Sequence, residues 1–343
     1  MTRFLRLRYL IWLVVPLLLW WAWRDTSLTE VGAVLSRLSL GQILALLAAN
    51  GMVLLLLSNR WWLILRAQGH AIPYLTLAGY RLAAFAVSYV TPGPQFGGEP
   101  LQVYLLQQRH SVLRAEAVAA VTLDKLLELL VNFTFLALGM VTILQGQLFA
   151  NWPRQQVIFI VLALLALPIS FLAAFWAGRH PVSNLWHGVN GLVTIGGVRR
   201  SRPTSSIYQS IYQTIHDSED HITHFCRSYP RAMTLLLLIS VLTWGALIGE
   251  YWLALYMLGL NLAAGQVISM LTAVRLAFLL PLPAGLGALE ASQVLVVTAL
   301  GLHPAAAISL SLLMRVRDAV LAAVGLSLGT LLVHTSKKYY KPY

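Results

Sequence analysis

The sequence is poor in charge. Only 10% of its 343 residues are Asp, Glu, Lys or Arg, while 58% are hydrophobic and the mean hydropathy is +0.73. A soluble domain carries about 25% charged residues, so lipid must cover much of this surface. Acidic residues are scarcer still: 12 Asp+Glu stand against 24 Lys+Arg, a formal net charge of +12. A basic nucleic-acid binder displays its charge on a soluble face. Here the basic residues cluster between apolar stretches, which fits the positive-inside rule and contact with anionic headgroups. Nucleic acid is therefore not an expected partner.

Cysteine is nearly absent. Cys226 alone excludes an intramolecular disulfide and a Cys-based zinc site. No Gly-Lys-Ser/Thr follows the Gly-rich runs, and no strand precedes them, so they are not nucleotide loops. No nucleophile elbow or His-Glu-x-x-His occurs. Asn132-Phe133-Thr134 has the glycosylation pattern but lies inside an apolar span. His216, His221 and His224, interleaved with Asp217, Glu219 and Asp220, read as the polar face of a surface helix. No metal, cofactor or catalytic residue is expected.

What is present is a series of long apolar runs. A spanning helix needs about 20 apolar residues, and candidates lie at 8–24, 40–62, 115–145, 156–178, 232–258 and 306–334. The first carries Arg3, Arg6 and Arg8 ahead of it, like a signal peptide. It ends in Trp20, Trp21 and Trp23 rather than a small-residue cleavage site, so it reads as a retained span with interfacial Trp. Two further regions, 75–108 and 266–301, are interrupted by Pro and Gly at 91–98 and 281–287. Their arms reach roughly 20–24 Å, short of the ~30 Å hydrocarbon core. They read as re-entrant helical hairpins, with a full crossing left open. The expected fold is all-α: about six spanning helices plus two hairpins.

With the N-terminus in the cytoplasm, fifteen Lys/Arg fall inside and three outside. The bias predicts a multi-pass protein of the cell membrane with both termini cytoplasmic. The 179–231 loop is the one sizeable polar segment. Ile207, Ile211, Ile215, Ile222 and Phe225, with Tyr208 and Tyr212 beside them, suggest an amphipathic helix on that surface.

The two interruptions match each other. Pro92/Pro283, Glu99/Glu290, Gln102/Gln293 and Val103/Val294 are all 191 residues apart. Arg81-Leu82-Ala83 and Arg275-Leu276-Ala277 precede the breaks at spacings that differ by three. The chain divides, as one membrane domain over 1–343, into a first span and outer loop (8–39), repeat 1 (40–148), a connecting span and loop (149–231) and repeat 2 (232–336). The charge count makes the hairpins enter from opposite sides, an inverted repeat of the transporter kind.

Six basic residues (Arg60, Arg81, Lys125, Arg275, Arg315, Arg317) and six acidic ones (Glu99, Asp124, Glu128, Glu250, Glu290, Asp318) remain inside membrane segments. A charge at mid-bilayer costs at least ~2.5–3.5 kcal/mol, so these must pair, face a wet cavity or snorkel. Arg60 is expected to reach Asp124 or Glu128, and Glu250 to reach Arg315. Arg81, Arg275, Arg315, Asp124, Gln102 and Gln293 are candidates for substrate contact, with structural pairing the competing role for Asp124 and Arg315. Glu99, Glu290, Glu250, Arg60, Pro92 and Pro283 are candidates for gating or coupling. Glu99 and Glu290 equally suit the bland role of a carboxylate at a helix start. Helix N-termini and arginine forks at the midplane would suit a phosphate or anionic headgroup.

The run Pro92-Gly93-Pro94-Gln95-Phe96-Gly97-Gly98-Glu99, followed by Val121-Thr122-Leu123-Asp124-Lys125-Leu126, resembles the first block of the lysylphosphatidylglycerol synthase transmembrane domain, a flippase-like family. Leu280 to Glu290 followed by Leu313-Met314-Arg315 resembles the second. The similarity spans about residues 5–335. Lys125 stands where that family usually has Arg, and Ala284 where it usually has Gly. The resemblance implies flipping of aminoacylated phosphatidylglycerol or other lipid-linked substrates, and implies no enzymatic activity for these residues. The expected function is a lipid flippase taking an anionic phospholipid or polyprenyl-linked lipid by alternating access. A membrane-embedded glycosyl- or phospho-transferase and an ion or small-solute transporter remain alternatives.

Overall fold

The computed structural model describes residues 15–91, 97–145, 154–184, 205–280 and 282–336. Residues 15–23 are helical; residues 8–14 of the expected first span, Pro92 and the chain ends lie outside the described residues. The principal helices that follow among the described residues are α1 (Leu28–Leu35), α2 (Leu40–Ala67), α3 (Tyr74–Val90), α4 (Glu99–His110), α5 (Arg114–Gln145), α6 (Arg154–Trp176), α7 (Ser205–Ser228), α8 (Pro230–Met257), α9 (Ala264–Ala277), α10 (Ala288–Ala299) and α11 (Pro304–Ser336). No strand occurs among the described residues. The protein is an all-α polytopic membrane protein.

Five of these helices (α2, α5, α6, α8 and α11) are long and apolar enough to cross a bilayer. The 28 residues of α2 and of α8 give a length of about 42 Å. The lipid-facing sides are identified by exposed apolar side chains such as Leu44 and Leu47 on α2, Phe159 and Leu162 on α6, and Leu238, Val241 and Leu242 on α8. Ser39 starts α2 with a reciprocal cap: Gln42 N donates to its Oγ (3.3 Å) and its N donates to Gln42 Oε1 (2.8 Å). Gly69 and Gly259, in left-handed backbone (φ 92° and 83°), end α2 and α8 in the same way.

The repeat extends well beyond the two breaks. The pairs α2/α8, α3/α9, α4/α10 and α5/α11 begin 190, 190, 189 and 190 residues apart. The expected hairpins are seen as α3–α4 and α9–α10, whose arms pack together. Among the described residues three candidate spans (α5, α6 and α8) separate them, the odd number that an inverted repeat requires. Packing repeats the relation. The two first helices, α2 and α8, pack on each other; α3 packs on α11 and α9 on α5, the first arm of each hairpin lying against the last helix of the other unit. Each unit also has its own apolar core, one around Trp61, Leu77, Leu105 and Leu123, the other around Leu255, Met270, Val297 and Ile308.

Both exchanged contacts are made at glycine. A Cβ on Gly325 of α11 would overlap the Leu82 carbonyl of α3 and come within 2.9 Å of Ala86 Cβ. One on Gly139 of α5 would overlap Thr272 Oγ1 of α9. In lipid, close approach through small residues is what holds helices together. Gly325→Val is expected to lose about 1–3 kcal/mol by overpacking. It should lower the melting temperature and the monodisperse fraction on size-exclusion chromatography. Gly249→Ala, which meets nothing within 4 Å, should leave both unchanged.

The expected amphipathic helix is α7. Ile222, Phe225 and Cys226 face inward, and the helix packs on α5 and α6. Ser218 Oγ donates to the Ala115 carbonyl at the start of α5 (3.1 Å). Burial pushes the Cys226 thiol up to about 11, so it stays a protonated core residue. Ile207 and Tyr208 have side chains outside the described set.

Candidate functional site

Between the two units lies a cavity of about 470 Å³. Its wall takes Arg60 from α2; Arg81, Ser88 and Tyr89 from α3; Glu99 and Gln102 from α4; Asp124, Lys125, Glu128 and Asn132 from α5; Thr243 and Trp244 from α8; Arg275 from α9; and Asp318 from α11. Four cations and four carboxylates thus share one cavity.

Most are locked to one another. Asp124, buried, accepts from Arg60 Nε at 2.6 Å and Arg81 Nη1 at 2.9 Å. Glu128 lies 3.8 Å from Arg60 and 3.6 Å from Arg81. Arg60 also donates to Ser240 Oγ (3.3 Å) and Arg81 to the Leu57 carbonyl (3.0 Å). These bonds tie α2 and α3 to α5, with Ser240 adding α8, so Arg60, Arg81 and Asp124 act as a buried fastening as well as a wall.

Lys125 lies between two carboxylates, 3.4 Å from Glu99 and 3.2 Å from Glu128. An ammonium is a point charge, and contact with one oxygen of each partner does not require a fork. That accounts for Lys where an Arg was expected. Glu99 also accepts from Gly97 N (2.8 Å), closing the turn before α4. Glu290 does the same in the second unit, accepting from Gly287 N (2.9 Å) while Arg315 Nε donates to it at 2.9 Å. In both units the hairpin carboxylate therefore joins its own break to a cation on the last helix. Arg315 further donates to the Ala284 carbonyl. Ala284 has φ 49°, a left-handed conformation that costs a non-glycine residue roughly 1–2 kcal/mol and explains the preference for Gly there.

One pairing differs from expectation. Glu250 is bound by Arg317 Nη1 and by Asn50 Nδ2 (3.2 Å), not by Arg315. Arg315 and Arg317 are two residues apart, about 200° around a helix, so they face opposite sides and only Arg317 turns to α8. Arg317 also holds Asp318 (2.8 Å). Glu250→Arg is expected to destabilise the protein sharply. Adding Arg317→Glu should restore part of the loss on a thermal-shift measurement. Adding Arg315→Glu should worsen it, because Glu290 then loses its cation.

Of the residues singled out in the sequence, Arg60, Arg81, Glu99, Gln102, Asp124 and Arg275 are brought together on the cavity wall. Glu250, Glu290 and Arg315 stand behind it. Gln293 is buried away from it, accepting from Ser311 Oγ (2.8 Å) and donating to Met314 Sδ (3.4 Å). Pro283 opens the short 3-10 turn Pro283–Gly285. Sequence reasoning missed Trp244, whose only signal was an aromatic ring in an apolar span. It also missed the special state of Arg275. Arg275 makes no hydrogen bond or ion pair among the described residues; its Nε is enclosed without a partner, and its guanidinium lies 4.9 Å from the Trp244 ring centroid.

The family model for the lysylphosphatidylglycerol synthase TM region matches residues 10–325. The chain belongs to that family. The match takes in both hairpins and every residue of the cavity wall. Comparison with curated proteins gives no match.

Proposed function

We propose that this member of the lysylphosphatidylglycerol synthase TM region family is a lipid flippase, not an enzyme. It would move an anionic phospholipid or lipid-linked phosphate across the cell membrane, with its termini in the cytoplasm. The observation that carries this reading is Arg275. A guanidinium on a cavity wall, stacked on Trp244 and in hydrogen bond or close ion pair with no described carboxylate, offers a planar donor fork suited to phosphate. The neighbouring cations support it differently. Arg60, Arg81 and Lys125 are each held by carboxylates, so they set the shape and field of the site.

The architecture supplies a route. The first arm of each hairpin packs on the last helix of the other unit, so a rocking motion of one unit against the other works on the cavity between them. A headgroup shifts the balance between the two arrangements only through its difference in affinity for them.

The test uses liposomes carrying the purified protein and a headgroup-labelled anionic phospholipid, with an impermeant quencher added outside. Transbilayer movement faster than in protein-free liposomes is expected. Movement no faster, across anionic, zwitterionic and polyprenyl-phosphate lipids, overturns the reading.

A further inference from the structure

The polar connection after α6 carries a second constellation, distant in chemistry from the cavity. His180 lies just beyond α6; His216 and Asp220 lie one turn apart on α7. One ligand atom from each of the three falls within 4.8 Å of the others. His180 Nε2 is 3.7 Å from Asp220 Oδ1, and His216 Nδ1 is 3.8 Å from Asp220 Oδ2. The two imidazole rings meet edge to face with centroids 4.3 Å apart.

These separations are too long for hydrogen bonds. They are close to what a shared ion needs. Bonds of about 2.0–2.2 Å to a tetrahedral zinc put neighbouring ligand atoms about 3.4 Å apart. His216 Nδ1 is enclosed and has no hydrogen-bond partner, a condition that calls for an explanation in a folded protein. A cation bound between the rings and the carboxylate would satisfy it.

Glu219 fixes the chain just beyond His180. Glu219 is buried and accepts from Val182 N (2.7 Å), Ser183 N (3.2 Å) and Ser183 Oγ. Its Oε2 lies 3.8 Å from His180 Nδ1, the ring nitrogen turned away from Asp220. That distance too is beyond a hydrogen bond, and His180 Nδ1, like His216 Nδ1, is enclosed without a hydrogen-bond partner. Three donors occupy Glu219, so it is a positioning residue and not a ligand.

We propose that His180, His216 and Asp220 bind one divalent first-row transition ion of the zinc type. Two imidazoles and one carboxylate leave a fourth position for water, and imidazole donors favour zinc, nickel or copper over magnesium or calcium. Cys226 is buried in the α7 core and takes no part. The ion would fasten the segment after α6 to the amphipathic helix α7.

The test uses the full chain with a histidine-free affinity tag, purified in detergent and stripped with EDTA. Zinc is titrated against a chromophoric chelator, and cobalt is followed by its tetrahedral visible bands. One equivalent is expected. His180→Ala, His216→Ala and Asp220→Asn should each weaken binding at least about tenfold, the loss seen even for outer-shell partners. His221→Ala and His224→Ala should change nothing. His180→Cys guards against a folding artefact: it should keep zinc and add a thiolate-to-cobalt charge-transfer band. Binding of no metal, binding that survives the His180→Ala/His216→Ala double change, or equal losses in the His221 and His224 variants overturns the proposal. Each readout is independent of lipid movement, so the flippase reading stands or falls separately.

Discussion

Asp124→Asn is expected to be the most damaging single substitution in the protein. The carboxylate accepts from two arginines, Arg60 at 2.6 Å and Arg81 at 2.9 Å, and its side chain is only 7% exposed. Asparagine keeps the shape and removes the charge. Two guanidiniums then share Glu128 as their one remaining described carboxylate, at 3.8 and 3.6 Å. Removing one partner of a buried pair costs about 3–5 kcal/mol, because the charge left behind is uncompensated. Here one change strands two charges, and they fasten α2 and α3 to α5. A domain with 5–15 kcal/mol of stability keeps little after such a loss. The expected result is loss of the monodisperse peak on size-exclusion chromatography, or a large fall in melting temperature where protein is recovered. Asp124→Asn combined with Arg81→Gln should recover part of the loss, because one stranded cation goes with it. An Asp124→Asn protein as stable as the parent would show that the cluster is solvated through the cavity and contributes little.

The membrane architecture was legible because its signals are long and one-dimensional. Five expected spans stand as α2, α5, α6, α8 and α11, and the Pro/Gly breaks stand as the turns of two short-armed hairpins. The repeat was visible at four identities, since the breaks are where the backbone constrains residue type most. Outside them the relation is carried chiefly by where the helices begin, which residue identity does not spell out. Pairing was legible where the partners of a helix share one face, as for Arg60 with Asp124 and Glu128, four residues apart. It failed where two arginines sit two positions apart, as for Glu250, because the side of the helix facing α8 depends on packing. The His180 cluster was invisible for a different reason: His180 and His216 are 36 positions apart and meet only once α7 folds back onto α6.

Arg275→Gln is expected to leave the fold intact and to slow movement of anionic lipid by about ten- to a hundredfold. Hydrogen bonds from a charged donor contribute about 1.5–3 kcal/mol, and each 1.4 kcal/mol is a factor of ten. The argument rests on a contrast within one wall. Arg81 and Arg275 hold related positions in the two hairpins, yet Arg81 bonds Asp124 and the Leu57 carbonyl, while Arg275 has no such partner among the described residues. Arg81→Gln should therefore reduce stability, with any transport loss following from it. Arg275→Gln should reduce transport at unchanged melting temperature. Arg275→Lys separates charge from shape. If phosphate needs the fork, lysine rescues little; if it needs only a cation, lysine rescues most. Lysine also packs less well over Trp244, so Trp244→Leu in the parent should lower transport through the same contact. The measurement is quencher-accessible fluorescence in liposomes at matched protein density. A rate for Arg275→Gln equal to that of the parent would remove Arg275 from headgroup binding, and with it the observation on which the flippase reading chiefly rests.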